Sequence, residues 1–131
     1  MLPAQARLRR RPEFTSVVRS GRRAGRPTLV VHYLAERPVA RAGGPQDPGA
    51  GPRAGFVVGR TVGDSVCRHR VTRQLRHLVR DQLHRLPPTA DLVVRARPEA
   101  AAASFGDLAR DLDAGLGRVL GSDRRGPRDG S

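Results

Sequence analysis

The stretch VGDSVCRHRVTRQLRHLVRDQL, residues 62–83, constrains this chain more than any other. Val71, Leu75, Leu78 and Val79 recur at helical spacing, and Gln82 and Leu86 fall on the same side of the wheel. His69, Arg73, Arg76, Arg80 and His84 project about 180° away. Arg68 is the exception: it sits near the apolar side in the first turn. Asp64 or Ser65 can cap the start, and Pro87-Pro88 ends the pattern. A helix so divided has to lay its stripe on an apolar surface and leave its guanidinium groups in water.

The rest of the chain supplies such a surface. Pro12 and Glu13 suit the first turn of a helix in which Phe14, Val17 and Val18 share a face, and Gly21 is a good stop. PTLVVHYLAE (27–36) reads as a strand apolar for most of its length, expected to be buried on both faces or to carry a polar function on one. RPVARAGGPQDPGAGPR (37–53) is rich in Pro and Gly, and a flexible loop is expected over about 38–53. AGFVVGRTVG (54–63) resumes as a strand, with Gly59 marking a bulge or a close backbone approach. ADLVVRARP (90–98) is a strand closed by Pro98. ASFGDLARDLDAGLGRVL (103–120) is a long helix. Ser104 and Asp107 resemble a capping box, and Phe105, Leu108, Leu112, Leu116 and Val119 form the core stripe. Gly115 and Gly117 weaken the end of that helix, and residues 121–131 read as a disordered tail. The pattern predicts one α+β domain over residues 1–120.

Composition narrows the function. The net charge is +13 and the pI about 11.8, values that speak of polyanionic partners rather than of fold. Every basic residue is Arg, which GC-rich codons would also produce, so the excess of charge carries the argument and the choice of Arg does not. A single Cys excludes an internal disulfide and a multi-Cys zinc site. The start of the chain has no apolar core for a signal peptide, and no stretch is long and apolar enough for a membrane span. A cytoplasmic protein without membrane contact is expected.

Residues for catalysis are not evident. His32, His69, His77 and His84 lack partners at metal-ligand spacing, and no nucleotide-binding loop or nucleophile elbow is present. Asp107, Asp111 and Asp113 read as a solvated face paired with Arg110 and Arg118. Cys67 reads as a small buried residue. The Arg-rich helix is more informative. Between Val66 and Leu86 its only acid is Asp81, whereas a merely solvated face mixes both signs. A nucleic acid would offset the repulsion and release counterions. Phe14 and Tyr33, beside Arg-rich segments, could meet an unpaired base, whereas Phe56 and Phe105 read as core.

At RTVGDSVCRHRVTRQLR the sequence resembles the protein subunit of bacterial ribonuclease P. That family has a Gly segment after a strand, then a helix opening on Arg-Asn-Arg, one further residue and a basic pair. Arg68, His69 and Arg70 stand at Arg-Asn-Arg, and Thr72 and Arg73 at the basic pair. RLRRRPEFTSVVRSGRRAG resembles the family's opening, and DLVVRARP its strand before the last helix. The sequence departs from the family where His69 replaces Asn, Thr72 replaces a cation, Gly59-Arg60-Thr61 replaces a Ser-basic-basic run and Val18 replaces an aromatic.

The resemblance implies an α-β-β-β-α-β-α sandwich with a left-handed βαβ crossover carrying the Arg-rich helix, and an early third strand near GRRAGRP. It implies a non-catalytic subunit of an endoribonuclease that removes the 5′ leader of precursor tRNA, with catalysis and most Mg2+ binding left to the RNA subunit and substrate. Arg68, Arg70 and Arg73 would then face the catalytic RNA, joined by His69, Arg76 and Arg80 from the same helix. Phe14, Val18, His32 and Arg60 would line a leader cleft, and Arg7, Arg9, Arg10 and Arg11 would add phosphate contacts. No protein partner would be required. A ribosomal or ribosome-assembly protein that binds structured RNA explains the charge and the helix as well. A DNA-binding regulator fits less, because a strand rather than a helix precedes the Arg-rich segment.

Overall fold

The computed structural model describes residues 11–36 and 51–125. The expected loop over 38–53 lies almost wholly outside them, as do Arg7, Arg9 and Arg10. Element order is α1 (Arg11–Ser20), β1 (Arg22–Gly25), β2 (Leu29–Leu34), β3 (Arg53–Val57), α2 (Ser65–Arg80), β4 (Asp91–Ala96) and α3 (Phe105–Arg125). The expected α-β-β-β-α-β-α order is therefore present, including the early strand in RRAG.

The strands form one sheet in the order β1-β2-β4-β3. β1 and β4 flank β2 antiparallel, and β3 lies parallel to β4 at the edge. Parallel neighbours need a crossover, and α2 provides it. Strand alternation then sorts the sheet. Leu29, Val31, Tyr33, Ala54, Leu92, Val94 and Ala96 face the larger core beneath α2 and α3. Val93 faces the other way, where Val17 and Phe14 of α1 cover it and Leu34 of β2 packs beside it. β2 is buried from Leu29 through Tyr33, as its apolar run predicts.

Three segments differ from expectation. β3 stops at Val57 rather than 63, because β4 itself ends at Ala96 shortly before Pro98 and offers no further ladder. Gly59 consequently lies in the turn after the strand, where its backbone carbonyl accepts from Val62 N–H at 3.1 Å. α2 ends at Arg80, and the chain tightens into a 3-10 turn over Leu83–Arg85. Leu86 precedes a proline and is extended (φ −98°, ψ 143°), so the helix has to unwind before it. α3 continues to Arg125, so 121–125 are helical rather than tail, and 126–131 lie outside the described residues. No proline interrupts this stretch, and a single Gly costs a helix only about 1 kcal/mol.

Two residues of α3 have roles the pattern misread. Gly115 is a contact point rather than a weakness: a Cβ there would lie 2.7 Å from Val31 Cγ2, so its absence lets α3 rest directly on β2. Asp111 is buried rather than solvated, and accepts from the Thr28 hydroxyl at 2.6 Å and the Thr28 N–H at 3.0 Å. Asp113 does sit outside, paired with Arg85 at 2.9 Å. At the opposite end of the sheet Arg53 donates two bonds to Asp91, at 2.9 and 2.8 Å, and joins the first residues of β3 and β4.

These environments predict unequal costs for similar changes. Asp111→Ala strands the Thr28 donors and should destabilise by about 1–3 kcal/mol, whereas Asp113→Ala should stay within about 0.5 kcal/mol. Urea unfolding of both variants checks the contrast, and equal losses would contradict it.

Candidate nucleic-acid interface

α2 starts where it does because of two residues. Gly63 has φ +156°, and a Cβ there would sit 3.0 Å from both Cβ and Sγ of Cys67. Asp64 then caps the helix, its carboxylate accepting from Cys67 N–H at 2.9 Å. Val71, Leu75, Leu78 and Val79 are buried against the sheet and α3. With that stripe anchored, the phase of every arginine on α2 follows.

His69 and Arg73 are exposed and Arg76 half-buried, and with His77 they line one depression of about 280 Å3. Arg80 lies a turn beyond Arg76, exposed, with Asp81 3.7 Å away. Arg68 and Arg70 do not join the depression. Arg68 is half-buried on the apolar flank, and its Nε has no hydrogen-bond partner among the described residues. Arg70 lies on the other flank and donates to the Ala101 carbonyl at 2.7 Å, tying α2 to the 3-10 turn Pro98–Ala101. Among the described residues no carboxylate pairs with Arg68, Arg70, Arg73 or Arg76. The charge of these four arginines is therefore left uncompensated within the described fold, while Arg80 has Asp81 beside it.

The residues expected at the leader cleft divide differently. Phe14 packs in the small cluster under α1, and Val18, one turn later, is 45% exposed. His32 pairs in register with Val93, which Phe14's cluster covers, so Phe14, Val18 and His32 belong to the same side of the sheet. Arg60 lies two strands away, exposed in the turn after β3. Arg11 begins α1. Phe105, read from the sequence as core, is 43% exposed at the head of α3, its ring centroid 5.9 Å from that of His77.

His32 is the least ordinary of these side chains. It is buried, and neither ring nitrogen has a hydrogen-bond partner among the described residues. Burial, then the charges of Arg95 and Arg23, push its pKa below 6.5. The ring is neutral near pH 7, with one donor and one acceptor uncommitted. Register explains the two arginines: Arg23 pairs with His32 across the β1–β2 ladder, and Arg95 projects on the same face from β4. Sequence reading missed both, although strand alternation places Arg95 opposite the core side of DLVVRARP. Among the described residues no group of three or more His, Cys, Asp or Glu side chains could hold a metal ion. Among the same residues no helix is long and apolar enough to cross a membrane.

A depressed His32 pKa has a definite sign in stability. Its contribution is complete above pH 6.5 and is lost as pH falls through 6.5 and then through the lower folded value, because the unfolded ring takes up the proton first. His32→Gln should therefore flatten the fall in Tm between about pH 7.5 and about pH 5. A fall as steep as the parent's would contradict a buried neutral imidazole.

Comparison with known proteins agrees with this architecture. A family model described as Ribonuclease P matches residues 2–120. The ribonuclease P protein component of Streptomyces griseus subsp. griseus is 54% identical over 125 residues, covering 95% of this chain and 100% of that one. The fold is similar to that of the RNase P protein of Staphylococcus aureus, with TM-score 0.69 at 18% identity over 85% of this chain and 92% of that one. It is similar also to the Thermotoga maritima RNase P protein, with TM-score 0.67 at 24% identity over 86% and 96%.

Proposed function

The chain belongs to the ribonuclease P protein family, and from that premise we propose that it is the protein subunit that binds the catalytic RNA and the 5′ leader of precursor tRNA. In this reading it promotes endonucleolytic removal of the leader to give the mature 5′ end, in the cytoplasm, with no other protein required. The observation that carries the reading beyond family membership is that Arg68, Arg70, Arg73 and Arg76 of α2 have no carboxylate partner among the described residues.

α2 would face the RNA subunit. His69, Arg73 and Arg76 offer donors around one hollow, Arg80 extends the row, and Arg68 and Arg70 reach the RNA from its flanks. Arg7, Arg9, Arg10 and Arg11 would add phosphate contacts. The leader would lie on the other face of the sheet, over Phe14, Val18 and His32, with Arg60 meeting phosphate beyond β3. The uncommitted imidazole of His32 supports this, since a buried neutral ring with no partner can take one hydrogen bond from a base and give another. The left-handed sense of the β3-α2-β4 crossover belongs to the same proposal.

Phosphodiester hydrolysis would be carried by the RNA subunit with Mg2+, held by that RNA and the substrate. No carboxylate cluster of the described residues fits the metal, so no step is assigned to this chain's side chains. What the protein contributes is binding and charge neutralisation, which matter most when Mg2+ is scarce.

Mixed with a ribonuclease P RNA and precursor tRNA at low Mg2+, the protein should stimulate 5′ processing, and no stimulation would overturn the proposal. Phe14→Ala should weaken binding of precursors with long leaders and spare mature tRNA, which has none. Equal loss for both would remove Phe14 from the leader cleft.

A further inference from the structure

The hollow on α2 is bordered by more than cations. Phe105 stands at its edge through His77, the two rings tilted by 53°. The other residues of the α3 stripe, Leu108, Leu112, Leu116 and Val119, are all buried, so Phe105 alone is withheld from the core. Its position is fixed from two sides. Ser104 and Asp107 exchange backbone and side-chain bonds across the first turn of α3, at 3.2 and 3.0 Å. Arg70 ties α2 to Ala101, four residues before Phe105. An exposed ring in a chain with few aromatics thus stands next to His77, which lines the hollow together with Arg73 and Arg76, and neither arginine has a carboxylate partner among the described residues.

We propose that this hollow receives one unpaired nucleotide of an RNA, its base against Phe105 and His77 and its phosphate at Arg73 and Arg76. The inference rests on the reading of α2 as the face toward the RNA subunit, and narrows that contact to a single-stranded element. Duplex backbone would satisfy the two guanidinium groups but offers no base face to Phe105, because its bases are stacked on each other. An unpaired base has a free π-face, and its phosphate accepts bidentate bonds from Arg. His69 lines the same hollow and adds a ring edge to the pocket.

The test uses the full chain with a ribonuclease P RNA, a salt series and chemical probing of the RNA. Phe105→Leu should bind about tenfold more weakly with its log–log salt slope unchanged, the loss expected of a stacking contact. Phe105→Tyr should bind as the parent does. The parent should protect one unpaired nucleotide that becomes reactive again in the Phe105→Leu complex. Arg73→Ala should lower the slope by about 0.7–0.9. If Phe105→Leu binds and protects like the parent while Arg73→Ala still flattens the slope, the nucleotide pocket is wrong and the RNA-facing helix stands. Protection by the parent of paired positions only would overturn the pocket equally. If Arg73→Ala leaves both slope and affinity unchanged, the reading of α2 fails and takes the pocket with it.

Discussion

Everything distinctive about this fold follows from how α2 is seated. Burying Val71, Leu75, Leu78 and Val79 contributes about 1.5–3 kcal/mol each, an upper figure given that unfolded chains are partly compact. Against this, like charges a turn apart, such as Arg73 with Arg76 and Arg76 with Arg80, cost a helix only about 0.2–0.5 kcal/mol per pair. Burial wins by several-fold, so the helix forms even though Arg68, Arg70, Arg73 and Arg76 find no carboxylate among the described residues. The repulsion that remains is small enough for the fold to carry and large enough for an incoming polyanion to relieve.

The same seating explains the division of labour between the two faces of the sheet. β3 and β4 are parallel, so the chain between them has to cross one face, and Leu92, Val94 and Ala96 of β4 are buried on that face. α3 fills the rest of the same face, admitted to close range by Gly115. Among the described residues only the short α1 is left for the opposite face, and it covers Val93 and Leu34 while Arg23 and Arg95 remain exposed. A small protein thereby presents one cationic surface on a helix and another on a sheet, separated by its own core.

Much of this was legible in the sequence, for physical reasons that also mark the limits. The α2 stripe, the capping box at Ser104 and the order of elements rest on local periodicity and local hydrogen bonding, and the structure has them. What periodicity cannot convey is what lies opposite. Asp111 and Asp113 are two residues apart on one helix, yet one meets Thr28 across the fold and the other meets Arg85 at the surface. Gly115 looks like a helix weakness until Val31 is known to lie beneath it. The β3 boundary depended on where its partner β4 ran out, and the end of α2 on the extended backbone that Pro87 imposes on Leu86. Family resemblance placed Arg68 and Arg70 with Arg73 because it is read along the chain. In three dimensions the first two leave the wheel on opposite flanks, and one of them is a tether to Ala101.

That tether changes what an arginine in this motif can be asked to do. A guanidinium carries five N–H donors, and the bond from Arg70 to the Ala101 carbonyl uses only part of that capacity. The remaining donors keep the full charge and a planar edge, held in place by the bond rather than by packing alone. A flexible Arg must give up rotamer entropy before it meets a phosphate, whereas one already fixed to the backbone of a neighbouring turn has given up part of it during folding. Lysine could supply the charge there but not both the tether and a second planar contact. Within one motif, Arg70 is thus suited to register and rigidity, and Arg73 to free charge that follows the shape of its partner.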